Sequence, residues 1–266
     1  DLMMTALDVI SAMEEWAPGT LQEEWDNSGL CIGRPDTPVS GVLICLDCTV
    51  AIIDEALEAG ANMIISHHPL IFKGIKQLCD VTPTERTIAA ALRNHMVIYS
   101  VHTNADKVMD GVSGAMAEAL GLQNLSILAG EGETHRGVPC GMGLVGDTQQ
   151  EVNTVHFFEW IKSVFSISHF KGSEPFISSV RRVAVCGGSG GSLISRALES
   201  GAQVYISGDF SYHQYFDVEP HMMLIDIGHY ESEVGVLTYF NNVLRKKFPT
   251  FAVRIAHKNT NPIRIY

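Results

Sequence analysis

The fold is decided by the stretch Ile64–Pro69, which reads IISHHP. Its apolar residues are typical of a buried β-strand, and the proline ends the strand directly after two adjacent histidines. Ligands of α/β sheets bind beyond the carboxyl ends of the strands. His67 and His68 can each offer an imidazole nitrogen to a metal ion at that edge. The alternative is that they are ordinary polar residues at a strand end.

The residues before this strand predict a βαβ unit. A strand at Val42–Leu46 leads through an N-cap at Thr49 into a helix at Val50–Glu58. The strand that carries the two histidines follows over Ala61–Ser66. A right-handed crossover of this kind makes the two strands parallel, so their carboxyl ends lie at the same edge of the sheet.

A second copy of this unit is encoded farther along the chain. The segment ALEAGAN at residues 56–62 matches ALESGAQ at residues 197–203, an offset of 197 − 56 = 141. Each copy continues with an apolar strand, which ends in Ser66-His67-His68 or in Ser207-Gly208-Asp209. Repeated units in one chain often face a shared site, so we expect these strand ends to converge.

The next strand of each copy ends in a histidine with an acid four residues later. These pairs are His102 with Asp106 and His229 with Glu233. If a helix opens at His229, this spacing puts the histidine and Glu233 on one face. The strand ends together supply more donors than one tetrahedral site needs, which favours a two-metal site. The alternative is that the histidine–acid pairs are surface ion pairs.

The composition excludes several classes of function. The 266 residues include 18 basic and 30 acidic side chains, a formal net charge of −12, which does not attract nucleic acid or anionic membranes. Six cysteines, with Cys45 and Cys48 at redox spacing, are expected to be reduced because no signal peptide is evident. No apolar run reaches the ~18 residues of a spanning helix. We therefore expect a cytoplasmic protein with a small-molecule substrate and no membrane or nucleic-acid partner.

Three further motifs have roles that the pattern leaves open. Glu24–Leu30 contains turn residues and Trp25, which either packs as an anchor or helps to form the wall of a site. Cys186–Gly191 is a glycine-rich turn that suggests a phosphate cradle, although it lacks the Walker lysine. Asp209 and His213 follow the strand that matches the His-His strand, where they could contact a substrate.

With these motifs the chain resembles the NIF-three-like family, whose members are often named GTP cyclohydrolase I type 2 homologues. The matching motifs span almost the whole chain: WDNxGL at 25–30, SHHP at 66–69, HTNxD at 102–106, SGD at 207–209 and GHYExE at 228–233. The resemblance implies an α/β fold of two intertwined structural repeats with mixed β-sheets flanked by helices. It also implies a toroidal homohexamer. We expect a first repeat at 1–124, a connecting or peripheral segment at 125–180 and a second repeat at 181–266.

The resemblance further implies a dinuclear metal centre with Glu233 as the bridging ligand. The implied metal ligands are His67, His68, Asp106, His229 and Glu233. The cofactors would be two divalent metal ions, which could be Zn, Fe, Mn or Ni. His102 would lie beside them as a proton shuttle or a further ligand.

The expected function is that of a metal-dependent hydrolase similar to GTP cyclohydrolases, in which a metal-activated water attacks a nucleotide-type substrate. One alternative is a non-catalytic metal-binding scaffold or regulatory protein. A second alternative is a metal-dependent phosphoesterase, although such enzymes usually add an Asp-x-Asp element that this sequence lacks. Fold and metal ligands alone do not determine the substrate.

Overall fold

The computed structural model describes residues 3–130 and 132–266. The helices, in chain order, are α1 (Ala6–Trp16), α2 (Val50–Glu58), α3 (Pro83–Arg93), α4 (Thr103–Lys107), α5 (Val112–Ala119), α6 (Thr154–Val164), α7 (Ile194–Glu199), α8 (Tyr212–Asp217), α9 (His229–Glu233) and α10 (Val236–Lys247). The strands are β1 (Gly29–Ile32), β2 (Val42–Cys45), β3 (Met63–Ser66), β4 (Val97–Ser100), β5 (Gln123–Ala129), β6 (Thr134–His135), β7 (Val138–Pro139), β8 (Met142–Asn153), β9 (Lys171–Gly172), β10 (Ser179–Ser189), β11 (Val204–Gly208), β12 (Met223–Asp226) and β13 (Val253–Ile255).

Two compact units divide the polypeptide. The first unit joins the residues up to Ala105 with the C-terminal segment Leu237–Tyr266, and the second unit is Asp106–Val236. The first unit is therefore made from both ends of the chain. The sequence-based division at 1–124, 125–180 and 181–266 follows the repeats and stays a prediction.

The first unit contains a five-stranded mixed sheet in the order β1-β4-β3-β2-β13. Strands β2, β3 and β4 are parallel, β13 joins β2 in parallel and β1 runs antiparallel to β4. The predicted βαβ unit is thus confirmed. Thr49 caps α2 as expected, because its hydroxyl accepts a hydrogen bond from the Ile52 N–H at 3.3 Å.

The second unit contains a six-stranded mixed sheet in the order β5-β8-β10-β11-β12-β9. Strands β10, β11 and β12 are parallel and the other neighbours are antiparallel. Val204 and Ile206 of β11 pack into one apolar cluster, whereas Tyr205 packs into another. Both faces of the strand are buried, which explains why it reads as a continuous apolar run. The expected α/β class with mixed sheets flanked by helices is confirmed.

The sequence repeat corresponds to a repeat of elements. Each sheet contains three parallel strands joined by helices, namely β2-α2-β3-α3-β4 and β10-α7-β11-α8-β12, with an antiparallel strand beside the third. The middle strands end in register with their neighbours, as Ser66 pairs with Ser100 and Ser207 with Asp226. The segment 125–180, predicted to be connecting or peripheral, supplies β8, which pairs with both β5 and β10. Its alternating residues extend the second sheet instead of only linking the repeats.

The cysteines are thiols in this structure. All six are free. Burial raises the pKa of Cys48 to about 12 and that of Cys45 well above its ordinary value, so both thiols stay protonated near neutral pH. Both residues pack in the same apolar cluster of the first unit, which accounts for their unreactive surroundings. No helix within residues 3–130 and 132–266 is long and apolar enough to cross a membrane.

Candidate metal site

The first unit brings three predicted site histidines together. His67 and His68 directly follow β3, and His102 follows β4 after one intervening residue. The two strands are parallel neighbours that end in register, so their next residues meet at the same edge. One ring nitrogen from each histidine lies within 4.8 Å of those of the other two. The His67 side chain is fully buried, whereas the other two are half-buried.

Each of these imidazoles is held through its Nδ1 atom. The Nδ1 of His67 lies 2.8 Å from the backbone oxygen of Val101, and the Nδ1 of His68 lies 2.8 Å from Asp47 Oδ1. The Nδ1 of His102 lies 2.8 Å from Asp26 Oδ1. In each pair the oxygen accepts a hydrogen bond from the ring, so Nδ1 carries the proton and the lone pair is on Nε2. Metal-binding histidines are oriented by this second hydrogen bond.

The sequence motifs did not reveal the role of Asp26. Its side chain is fully buried and accepts hydrogen bonds from the Thr103 N–H at 3.0 Å and from the Thr103 hydroxyl as well as from His102. Burial opposes ionisation, but the hydrogen bonds from His102 and Thr103 outweigh it and hold the pKa of Asp26 well below its ordinary value. Asp26 is therefore an ionised carboxylate beneath His102.

Asp47 has a similar role beneath His68. Its second carboxylate oxygen accepts a hydrogen bond from the Thr260 hydroxyl at 2.9 Å. The C-terminal segment is also held by Glu55, whose carboxylate accepts hydrogen bonds from the backbone N–H groups of His257 and Lys258. The last residues of the chain thus help to orient a site histidine.

Trp25 is not a packed anchor, and that interpretation is wrong. Its side chain is 60% exposed, and its ring centroid lies 6.1 Å from that of His102. The reason is that the turn is held by its polar residues: Asp26 binds the start of α4, and Asn27 donates a hydrogen bond to the Ile71 backbone oxygen. Trp25 therefore stands beside the histidines, as the alternative interpretation of this motif expected.

The second unit contains the predicted residues Asp106, His229 and Glu233. His229 and Glu233 are the first and last residues of α9, so a helix does open at His229, which was the condition for the expected i, i+4 arrangement. The His229 Nε2 atom lies 3.3 Å from Glu233 Oε2, so the i, i+4 spacing does place them on one face. A carboxylate oxygen of Asp106 lies within 4.8 Å of one from Glu233, and both acids are buried.

Asp209 holds His229 in the second unit. Its Oδ2 atom accepts a hydrogen bond from His229 Nδ1 at 2.7 Å and another from the Ser189 hydroxyl. Burial would raise the pKa of Asp209, but these two hydrogen bonds lower it below its ordinary value. The structure thus shows Asp209 as an orienting group. The ring of His213 contacts those of Tyr212 and Phe216, and a substrate role for His213 stays a prediction.

Three backbone donors of the glycine-rich turn are engaged within the protein, and a phosphate-binding role for this turn stays a prediction. The N–H groups of Gly187 and Gly188 donate to the hydroxyls of Ser113 and Ser232, and that of Gly190 donates to a backbone oxygen. The glycines also permit close packing. A Cβ atom at Gly188, where φ is +69°, would lie 2.5 Å from Glu233 Oε1.

The chemistry of both donor sets fits a divalent metal ion. The three oriented imidazoles of the first unit are ligands of the kind that Zn, Fe and Ni accept. In the second unit, two buried carboxylates close together repel each other and lose hydration, and a bound cation would offset both costs. The described residues therefore include histidine and acid groups that could bind metal.

The fold and these donor sets define a mixed α/β protein with a candidate metal site at the ends of parallel strands. The chain belongs to the Duf34/NIF3 (NGG1p interacting factor 3) family, whose model matches residues 4–262. The resemblance seen in the motifs is thereby confirmed over nearly the whole sequence.

Individual relatives agree with this assignment. A GTP cyclohydrolase 1 type 2 homolog from Clostridium acetobutylicum is 34% identical over 262 residues, 97% of each chain. The crystal structure of a Bacillus cereus protein related to NIF3 matches with a TM-score of 0.90 at 26% identity, covering 100% of both chains. A relative of the same name from Staphylococcus aureus aligns over 365 positions at 27% identity, covering 98% of this chain and 100% of its own. That alignment has 365 − 266 = 99 more positions than this chain has residues.

Proposed function

We propose that this chain is a metal-dependent hydrolase that acts on a nucleotide-type substrate. One observation carries the proposal: the Nδ1 atoms of His67, His68 and His102 are all held by oxygen acceptors, and one nitrogen from each ring converges within 4.8 Å. Such convergence of oriented imidazoles is what a metal site needs. The name of the Clostridium acetobutylicum relative, a GTP cyclohydrolase 1 type 2 homolog, supports the nucleotide class.

We assign the metal ligands to both donor sets. The proposed ligands of two divalent ions are His67, His68, Asp106, His229 and Glu233. We propose a dinuclear centre in which Glu233 would be the bridging ligand, as the family resemblance implies, and Zn, Fe, Mn or Ni would suit these donors. Divalent ions would supply Lewis-acid activation of a water molecule and of the group under attack.

His102 is the residue that we propose for proton transfer. Its side chain is 15% exposed, so a substrate can reach the ring from solvent. Because Asp26 accepts the hydrogen bond from Nδ1, the proton would be exchanged at Nε2. The ionised carboxylate also stabilises the charged imidazolium that forms after His102 takes up a proton.

Turnover by the purified, metal-loaded protein tests the proposal. GTP, other nucleotides and simple phosphoesters would be offered to the parent chain and to His67→Ala, with the exposed His156→Ala as the matched control. We expect hydrolysis of a nucleotide by the parent and the control, and at least a ~100-fold loss in His67→Ala. Activity that survives in His67→Ala contradicts the proposal.

The alternatives predict different results in the same assay. A metal-loaded parent that turns over none of these compounds would favour the non-catalytic scaffold, and hydrolysis of phosphoesters alone would favour the phosphoesterase. The homohexamer and the cytoplasmic location also stay proposals. Light scattering on the purified protein would test the first by comparing its mass with six times 29.0 kDa.

A further inference from the structure

Two large aromatic side chains are exposed beside the histidines of the first unit. Trp25 is 60% exposed and Phe72 is 45% exposed, and their ring centroids lie 5.9 Å apart in an edge contact. Each ring also makes an edge contact with His102, at 6.1 Å for Trp25 and 6.4 Å for Phe72. Single exposed apolar residues are ordinary, but a contiguous pair next to a candidate site marks a binding surface.

The segments that carry these rings are fixed. Asn27 donates a hydrogen bond from Nδ2 to the Ile71 backbone oxygen at 2.6 Å, which joins the turn of Trp25 to the loop of Phe72. The Ser28 N–H donates to Gln22 Oε1 at 2.9 Å, and the buried Asp26 anchors the same turn to Thr103. The segments that carry the two rings are therefore held to each other and to the unit, while solvent covers much of the ring surface. A binding surface that is ordered in advance loses less entropy when a ligand binds.

An edge-to-face contact covers one face of one ring, and the exposure of Trp25 (60%) and Phe72 (45%) leaves other ring surface in contact with solvent. Edge-to-face and offset stacking are the favoured geometries of aromatic pairs, so a third flat ring can stack on an open face. Proteins that bind nucleobases without preference for a particular base commonly stack them on aromatic side chains.

We propose that Trp25 and Phe72 form a stacking surface for the planar heteroaromatic ring of the substrate, with His102 beside that ring. The inference rests on the proposed function, since it names the part of a nucleotide-type substrate that these residues bind. The surface selects flat nitrogen-containing rings of nucleobase size and tolerates differences in their edge substituents, because stacking uses the ring face.

Calorimetric titration of the metal-loaded protein tests this surface. The probes are guanosine, GMP and ribose 5-phosphate, which separate the contribution of the ring from that of the sugar phosphate. We expect Trp25→Ala and Phe72→Ala to bind guanosine and GMP roughly 5- to 150-fold more weakly, the range for loss of one base–aromatic stack. Trp25→Phe and Phe72→Tyr keep a ring and should retain most of the affinity, and the binding of ribose 5-phosphate should not change.

Trp160→Ala is the matched control, since Trp160 is an exposed tryptophan (47%) of the second unit. It should bind guanosine as the parent does. The proposal is overturned if Trp25→Ala binds guanosine as tightly as the parent, if Trp160→Ala weakens it equally, or if the metal-loaded parent binds neither ring compound. Should Trp25→Ala lose its folded circular dichroism spectrum, the Phe72→Ala and Phe72→Tyr pair decides.

Metal content and turnover, measured on the same samples, separate this inference from the proposed function. A parent that lacks metal or turnover, yet binds guanosine through Trp25, would refute the hydrolase proposal and leave the stacking surface standing. If the parent hydrolyses a nucleotide but Trp25→Ala and Phe72→Ala bind guanosine as tightly as the parent, the stacking surface is refuted and the hydrolase proposal stands.

Discussion

The two units place a histidine–carboxylate pair at matching strand ends but exchange the roles of the two groups. In the first unit β3 leads into the candidate ligand His68, and Asp47 beyond β2 holds its Nδ1 atom. In the second unit the residue at the matching repeat position is Asp209, and it holds the Nδ1 atom of His229 beyond β12. Both units therefore contain a histidine oriented by a carboxylate. The histidine follows β3, the middle parallel strand, in the first unit, and β12, the third, in the second unit.

The donor atoms of the two units also differ in kind. The first unit gathers three imidazoles, whereas in the second unit Glu233 lies near one histidine, His229, and near a second carboxylate, Asp106. Imidazole suits Zn, Fe and Ni, and carboxylate suits harder ions such as Mn. The comparison teaches that two copies of one fold can offer complementary ligand chemistry. The predictions that follow test this difference.

Removal of a ligand should have the largest effect. His67→Ala in the first unit and Glu233→Gln in the second should each weaken metal binding by more than ~100-fold, because each removes a donor atom and not only its support. Elemental analysis and competition with a chromophoric chelator measure the loss, with His156→Ala as control. If the dinuclear prediction is right, the parent binds two ions per chain, and Glu233→Gln loses both. If Glu233→Gln instead keeps one ion at the parent affinity, the two donor sets bind metal independently and Glu233 does not bridge them.

Removal of an orienting carboxylate should have the next largest effect. Asp47→Asn and Asp209→Asn are the matched pair, and each should weaken metal binding by roughly 10- to 100-fold, since an amide neither fixes the same tautomer nor raises the basicity of the ring. Asp54→Asn, an exposed position in α2, is the control. If only one of Asp47→Asn and Asp209→Asn weakens metal binding, the two carboxylates do not have equivalent orienting roles.

Metal preference should change in opposite directions when the two sets are altered. We expect His67→Ala to lower the affinity for Zn more than that for Mn. Glu233→Asn should lower the affinity for Mn more than that for Zn. Each variant should change the ratio of the two affinities by about tenfold. Competition titrations with the two ions provide the measurement. Equal losses for both ions in both variants would show that the donor types do not set the preference.

The smallest effect is expected at Thr260, which is one hydrogen bond farther from His68 than Asp47 is. Thr260→Val removes the hydroxyl that donates to Asp47 Oδ2 and should weaken metal binding by about three- to tenfold, the usual range for the loss of one hydrogen bond. Thr260→Ser keeps the hydroxyl and should restore the parent affinity. If valine binds metal as well as the parent, the C-terminal segment does not orient His68.

Local patterns made much of the site predictable. The run before His67 has the composition of a buried strand, and the spacing of His229 and Glu233 is that of one helix face, so both placements followed from short stretches of sequence. The two orienting acids of the first unit did not stand out. Asp26 is 76 residues from His102 along the chain and looks like an ordinary turn residue, and Asp47 is 21 residues from His68. Such pairings arise only when distant segments pack.

The exposure of Trp25 is another feature that could not be predicted from the local sequence. A tryptophan in a turn is usually expected to pack, because burial of its large apolar surface is favourable. Here polar contacts of Asp26 and Asn27 hold the turn, so the ring need not supply the stabilisation. Only the three-dimensional contacts show whether such a tryptophan packs in the core or stands beside a site.

The amino-acid sequence by itself determined the α/β class, the internal repeat and the identity of the histidines and acids at the strand ends. It could do so because strand and helix periods, turn residues and a repeated segment are local properties. The tertiary structure decided which oxygen orients each imidazole, which glycine N–H groups are already engaged, and that both ends of the chain build the first unit. Those features depend on contacts between segments far apart in the chain, and no local pattern records them.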